Sequence, residues 1–451
     1  MKRHLLYLAL IPLGLWGIFA LPDVLAANPE GLWAWRKPLI ILSGLLALWW
    51  MSAGIVLATR APWLEKRFGG LDKLYRLHKN IGIGAGILVF AHWMIEWLPK
   101  NLAKAGLIVG PNRPRGPRGE PEMWIDLAKD VGEWAGYILL ALVVVALVKR
   151  IPYRYFRWVH KAFGAVFIAG AFHGLILMPT TFWQSPLGWL TALVAAIGIV
   201  PALLSLSNRI GRQRQHRAAI VSISQHEGKL LEIVCRPAAS WPGHQAGQFL
   251  FAHVGPRGEG AHPFTIASAW NAGDGTLTLV VKALGDFTAQ MPDLIEVGQQ
   301  ITLEGPYGAF DFSAKIPVDR QSPAHSPLAG HQVWVAGGIG ITPFLARLGQ
   351  LASAPEANKP SADLFYCTPT SAQGDFPANL EALCQAAGVR LHRRLTDRQG
   401  PLTTQEVAAT LQPGSTVWFC GPAGWGRALG EALQRNGLSR QAFHQEAFEF
   451  R

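Results

Sequence analysis

Residues 75–97 read YRLHKNIGIGAGILVFAHWMIEW, an apolar run that holds two histidines, His78 and His92, 14 residues apart. The run is long enough for a helix crossing about 30 Å of hydrocarbon, and an ionisable group at that depth is costly enough to imply a task. The combination recurs in residues 157–178, RWVHKAFGAVFIAGAFHGLILM, which carry His160 and His173, 13 apart. At about 1.5 Å of rise per residue, both separations put about 20 Å between two levels. One helix from each pair can then present two facing imidazoles at each level.

A lone histidine in such a run more often satisfies a core hydrogen bond, but four at matched depths point to ligation. Zinc fits poorly, because no Cys, Asp or third His lies close in sequence at either level. Bis-histidine haem fits better, with Gly82, Gly84, Gly86, Gly164 and Gly170 as places where a flat macrocycle can approach the backbone. A separation of 14 leaves two side chains within about 40° around an ideal helix, whereas 13 leaves them about 140° apart. That mismatch predicts an irregularity between Gly164 and Gly170.

Outward from these runs, half of the 451 residues are apolar and 16% are charged. The apolar weight falls in the first 208 residues, where six runs read as spans, at approximately 5–22, 37–58, 76–98, 131–149, 158–178 and 187–207. The N-terminal run also reads as a cleaved signal peptide, with a basic start and small residues near Ala26 and Ala27, which would leave five spans. Lys and Arg cluster in alternate connections, at Arg60–Lys79, Lys149–Lys161 and Arg209–Arg214, while residues 179–186 carry no charge. The positive-inside rule therefore places both termini in the cytoplasm. The formal charge of +12 is partly this topology signal, and it gives no reason to invoke nucleic acid. Cys235, Cys367, Cys384 and Cys420 all fall in the second half with no CxxC spacing, so neither a disulfide framework nor a zinc site follows.

Residues 217–312 alternate in short strands such as AAIVSIS, LLEIVC, LTLVVKAL and QQITLEG, separated by Gly, Pro and Asn turns. This pattern predicts a small antiparallel barrel. Within it lie HPFTIAS (262–268), KALGDFT (282–288) and GPYG (305–308). Next come a strand, QVWVA, then GGIGITP (337–343) and an apolar helix. Gly337, Gly338 and Gly340 permit a tight turn, Thr342 suits the N-cap and Pro343 the first helical position. The exposed N–H groups of that helix would face a pyrophosphate. The strands ADLFYCT and TVWFCGP continue an α/β pattern.

The four histidines, followed by HPFTIAS, VAGGIGITPFL, FCGPAGW and the C-terminal EAFEFR, resemble the bacterial ferric reductase-like proteins of the NADPH oxidase superfamily. In these a membrane α-helical bundle, the ferric reductase transmembrane domain, is fused to a ferredoxin–NADP reductase-type module with an FAD barrel and an α/β nucleotide domain. The resemblance covers nearly the whole chain and implies domains at 1–208, 215–313 and 328–451. It implies two b-type haems, one on His78 and His160 and one on His92 and His173. It also implies FAD lined by His262, Pro263, Phe264 and Thr265, with Ser268 towards the phosphates and Lys282 and Thr288 as further phosphate contacts. Many relatives have Arg where this chain has His262.

Gly337, Gly338, Gly340 and Thr342 match the dinucleotide turn. Cys420, Gly421 and Pro422 match the segment beside the nicotinamide, and Phe448, or Phe450 in the alternative register, matches the aromatic covering the flavin. Thr265, Cys420 and Phe448 would thus adjoin the reacting rings. Relatives that prefer NADPH often carry an Arg after LFYC, where this chain has Thr368, Pro369 and Thr370; Arg393, Arg394 and Arg398 are substitutes from a neighbouring segment. NADPH is favoured, with NADH open. The implied activity passes electrons from NAD(P)H through FAD and both haems across a bacterial inner membrane to a ferric chelate, oxygen or a periplasmic redox partner. Trp93, Phe167 and Phe172 are packing or intermediate groups on the way, and Arg113, Arg115 and Arg118 could attract an anionic chelate. A membrane-anchored reductase serving a protein or quinone, and a non-enzymatic haem sensor, stay open.

Overall fold

The computed structural model describes residues 2–110, 122–148, 151, 153–254, 260–312, 330–369 and 376–446. Arg113, Arg115, Arg118, Thr370, Phe448 and Phe450 lie outside the described residues. The chain forms two compact units, one of residues 1–64 and 73–211, the other of residues 65–72 and 212–451.

The first unit is helical. Its helices are α1 (Lys2–Phe19), α2 (Gly31–Leu57), α3 (Leu71–Lys104), whose first two residues, Leu71 and Asp72, belong to the second unit, α4 (Met123–Leu147), α5 (Tyr153–Ile176) and α6 (Pro186–Leu206). Among the described residues five helices, α2 to α6, are long and apolar enough to span a bilayer, rather than the six expected. The first run falls short because α1 ends at Phe19 and a separate short helix, Leu21–Ala26, begins beside Pro22 and Asp23. The apolar stretch His4–Phe19 then covers about 24 Å, less than the hydrocarbon thickness.

Small residues let these helices approach closely. A Cβ on Gly198 of α6 would lie 2.4 Å from the Phe167 ring of α5 and 2.6 Å from Ser52 Oγ of α2. Phe167, fully buried, packs with Leu48, Ala171, Ala195 and Ala202. Helix α5 runs unbroken from Tyr153 to Ile176, so the irregularity expected between Gly164 and Gly170 is not a break in the helix. The two histidines of α5 instead meet different neighbours.

The second unit holds two sheets. The first joins β1 (Gln215–His226), β2 (Leu230–Pro237), β3 (Phe249–His253), β4 (Ala261–Thr265), β5 (Leu277–Lys282) and β6 (Gln300–Tyr307) in the order β4-β3-β6-β1-β2-β5. Every pairing in it is antiparallel, as alternation predicts. The expected barrel does not close by a ladder: the edges β4 and β5 meet through one isolated bridge, Ile266 to Leu279. Closure needs continuous pairing of the two edge strands, and β4 ends at Thr265, before that pairing can extend.

The second sheet is parallel, with β7 (Gln332–Gly337), β8 (Ala362–Thr368), β9 (Val389–Leu395), β10 (Thr416–Cys420) and β11 (Phe443–Glu446) in the order β11-β10-β7-β8-β9. Strand β8 is buried throughout, as a parallel strand covered on both faces should be. Connections run outward from β7 in one direction and from β10 in the other. The strand order therefore reverses between β7 and β10, which is where an open α/β sheet takes its ligand, at the carboxyl ends of the strands.

Candidate functional site

The four histidines of the helical unit form two facing pairs. His78 of α3 and His160 of α5 have ring centres 5.8 Å apart, tilted by 67°. His92 and His173, on the same two helices, have centres 6.2 Å apart and rings at 89°. The structure thus brings His78 together with His160, and His92 with His173. Among the described residues no three His, Cys, Asp or Glu side chains gather as a metal site; each level has two imidazoles.

Their second nitrogens are held by backbone on other helices. His78 Nδ1 donates to the Gly54 carbonyl (2.8 Å), His92 Nδ1 to the Ile40 carbonyl (3.0 Å), and His173 Nδ1 to the Ala128 carbonyl (2.8 Å). A carbonyl oxygen can only accept, so these Nδ1 atoms carry the hydrogen and leave Nε2 with its lone pair. Ser43 Oγ sits 3.1 Å from His92 Nδ1. His160 differs, since its buried Nδ1 has no hydrogen-bond partner among the described residues. Its ring lies between Phe156 and Phe163, each 5.0 Å away.

Two glycines that the sequence did not single out back the second pair. A Cβ on Gly132 of α4 would fall 1.9 Å from His173 Nδ1, and one on Gly44 of α2 would fall 3.2 Å from the His92 ring. Of the glycines expected to admit a macrocycle, Gly82 and Gly170 face open space. Gly84 meets Trp50, Gly86 meets Val143, and Gly164 meets Ala202 and Leu206, so these three serve helix packing. Trp93 stacks on Trp97 at 5.3 Å.

In the antiparallel sheet, HPFTIAS forms β4 and the residues after it. Phe264 and Thr265 are buried, Pro263 pairs with Phe251, and His262 stacks on Phe287 with ring centres 3.8 Å apart. Ser268 Oγ accepts the Thr278 N–H (2.9 Å), which leaves its own O–H to donate. Lys282 lines a narrow cleft with Gly338, Ile339 and Tyr366, so the sheet and the glycine turn face each other there. The Thr288 hydroxyl is engaged locally, accepting the Leu284 and Gly285 N–H groups and donating to the Gly285 carbonyl.

The glycine turn lies at the strand-order reversal. Gly338 has φ +54 and open space where a side chain would stand, the arrangement by which backbone admits a ligand. A Cβ on Gly340 would lie 2.2 Å from the Cys420 carbonyl oxygen, and one on Gly421 would lie 3.2 Å from Gly337. The turn after β7 and the CGP segment after β10 are therefore in direct contact. The next helix starts at Thr342, with Ile341 as its N-cap, one residue earlier than expected; Thr342 Oγ1 donates to the Ile339 carbonyl.

Burial raises the Cys420 thiol well above its ordinary range, and Glu446 adds to the shift, so it stays a neutral thiol. Glu446 pairs with Cys420 in the ladder. Its carboxyl is held well above the usual range by burial and then by Asp72, and its Oε2 has no hydrogen-bond partner among the described residues. Sequence reasoning missed it, because only the β10–β11 register shows that this acid points inward. Of the three arginines offered for a 2′-phosphate, Arg394 is occupied by Glu406 and by the carbonyls of Gln399, Gly400 and Pro401. Arg393 pairs with Glu381, and Arg398 sits on the short helix Thr396–Gln399.

Residues 43–171 match the family model "Ferric reductase like transmembrane component", and residues 215–311 match "FAD-binding domain". The chain joins a ferric reductase-like transmembrane domain to an FAD/NAD(P)H reductase module. The first match contains His78, His92 and His160 and stops two residues short of His173. The carnitine monooxygenase reductase subunit of Escherichia coli (strain K12) is 28% identical over 154 residues, 34% of this chain and 42% of that protein. The respiratory burst oxidase homolog protein E of Arabidopsis thaliana is 24% identical over 210 residues, 44% of this chain and 21% of its own length. Ferric reduction oxidase 7, chloroplastic, of Arabidopsis thaliana is 35% identical over 96 residues, 20% of this chain and 13% of its own. The aligned regions span less than half the length of each of these relatives.

Proposed function

We propose that the protein is a transmembrane oxidoreductase that takes electrons from NAD(P)H on the cytoplasmic side and delivers them across the membrane to a ferric chelate or oxygen. The domains would run 1–208, 215–313 and 328–451, in a bacterial inner membrane with both termini in the cytoplasm. When bound, FAD would convert hydride transfer to single-electron transfer and two b-type haems would carry the electrons.

The observation that carries this reading is the pair of facing imidazoles at each level. His78 with His160, and His92 with His173, would each hold one haem iron between them; their ring centres lie 5.8 and 6.2 Å apart. His78, His92 and His173 fit as ligands, because carbonyl partners hold each Nδ1–H and turn Nε2 outward for the metal. With two protein ligands per iron no position stays open for substrate, which suits a conductor better than a binding centre.

In the module, the N–H groups from Gly337 to Thr342 would hold the pyrophosphate of the nucleotide. Cys420, Gly421 and Pro422 would border its nicotinamide. Thr265 and the aromatic Phe448 would flank the flavin ring, with His262, Pro263 and Phe264 beside it. Ser268 and Lys282 would meet the flavin phosphates, with Thr288 bracing the loop that follows Lys282. NADPH is preferred over NADH if Arg393 or Arg398 reaches the 2′-phosphate.

The test is the haem-to-protein ratio of the detergent-purified protein, followed by anaerobic addition of NADPH. A ratio near two with both haems reduced through the flavin is expected. A flavin-replete, folded protein with a ratio near zero overturns the reading.

A further inference from the structure

We propose that His244 is a positioning residue for the flavin phosphates, acting through Ser268. This rests on the reading of residues 215–311 as the FAD site. His244 follows Gly243, whose φ is +80 and where a Cβ would fall 2.8 Å from Trp270 Nε1. The loop is thereby pressed against Trp270, and the His244 ring, only 8% exposed, sits between Trp241 and Trp270 with ring centres 6.4 and 5.4 Å away.

His244 Nε2 lies 2.9 Å from the Ser268 carbonyl oxygen. The carbonyl can only accept, so Nε2 carries the hydrogen. Burial lowers the readiness of the ring to take a second proton, which leaves one N–H, and that one is spent on Ser268. Nδ1 is buried with no partner among the described residues.

The segment after β4 is fixed from two sides. Thr278 of β5 donates its N–H to Ser268 Oγ (2.9 Å), and its carbonyl accepts the Ala267 N–H (2.8 Å). His244 holds the Ser268 carbonyl from the other side. With its oxygen already accepting, the Ser268 hydroxyl hydrogen remains to be donated, and an anionic phosphate oxygen is the acceptor it suits. Loosening the carbonyl would let that hydroxyl turn away.

The experiment uses full-length, detergent-purified protein stripped of flavin and titrated with FAD, FMN and riboflavin, followed by flavin fluorescence. His244→Ala should weaken FAD and FMN about tenfold while riboflavin, which lacks a phosphate, changes less than about twofold. Ser268→Ala should show the same selectivity, and the double variant should lose no more than about twofold beyond it. His244→Gln, which keeps a donor, should recover most of the affinity. Where the alanine variant does not fold, Gln against Met at position 244 makes the same comparison. Equal losses for all three flavins, or full additivity with Ser268→Ala, overturn the proposal. A wild-type protein that binds no flavin overturns the FAD reading with it, so the two failures are distinguishable.

Discussion

In the helical unit the groups proposed for chemistry are side chains: four imidazoles, three of them bonded to carbonyls of other helices. In the sheet-containing unit they are largely main-chain atoms. Gly340 against Cys420, and Gly421 against Gly337, bring backbone close to backbone at the ends of β7 and β10, and Gly338 leaves open space for a ligand. The two solutions answer two solvents. Hydrocarbon offers a ligand nothing, so selectivity must come from rare polar side chains. At a helix N-terminus beyond a central strand exposed N–H groups are already present, and the sequence need only withhold Cβ atoms. Removing a side chain should therefore injure the first unit most, and adding one should injure the second.

The largest effect is expected from subtraction in the membrane. His92→Ala or His173→Ala should reduce the haem-to-protein ratio from about two to about one, and electron delivery across the membrane by at least about a hundredfold, since loss of even an outer-shell partner costs ten- to a hundredfold. NAD(P)H-driven flavin reduction should change less than about twofold, because these histidines and the sheets of the module lie in separate units. Stopped-flow flavin bleaching with haem quantitation checks both. Unchanged transmembrane reduction in these variants would mean that the second histidine level plays no part.

Gly132→Ala tests whether the division is as sharp as stated, because it injures the helical unit by addition. Its Cβ would stand 1.9 Å from His173 Nδ1, so the ring must leave its place against the Ala128 carbonyl. Partial loss of one haem, or a changed low-spin spectrum at that level only, is expected. Gly44→Ala, at 3.2 Å from the His92 ring, should do less. If both variants keep normal spectra, the imidazoles are held less tightly than the carbonyl bonds imply.

Addition in the module comes next. Gly340→Ala brings a Cβ to 2.2 Å from the Cys420 carbonyl oxygen, and overpacking of this kind costs about 1–3 kcal/mol. Flavin reduction by NAD(P)H should slow about tenfold or more, with the haems still reducible by dithionite. Gly338→Ala meets no atom, so its penalty should be confined to the positive φ and to lost nucleotide affinity.

The same contrast explains how much of the protein was legible. Polar atoms in an apolar run cannot hide, so the four histidines and their two levels followed from spacing, while the pairing of His78 with His160 and of His92 with His173 came with the family resemblance. Their supports did not: Gly54, Ile40 and Ala128 offer only carbonyls, which every residue has, and Gly132 is unremarkable until α4 lies against His173. The strands from 217 to 305 were readable from alternation. Barrel closure was not, since it turns on how far β4 and β5 pair, and they meet at one bridge. The first run was misjudged because hydropathy summed across Phe19 conceals the end of α1 that Pro22 and Asp23 accompany.

Glu446 is the exception in the module, a buried side chain where backbone otherwise dominates, and it gives the smallest expected effect. Burial and then Asp72 raise its carboxyl well above the usual range. In the unfolded chain it titrates near its ordinary value, so between the two values the folded state holds a proton that the unfolded state has released. Stability therefore falls as pH rises through that window, and the full contribution is present only below the ordinary carboxylate range. Glu446→Gln keeps the shape and removes the titration. The midpoint for flavin release on heating should rise by about 3 °C at pH 8 and hardly move at pH 4. A variant that is destabilised equally at both values would show that the carboxyl is ionised and paired in the folded module, and that the side chain at the end of β11 acts as a charge.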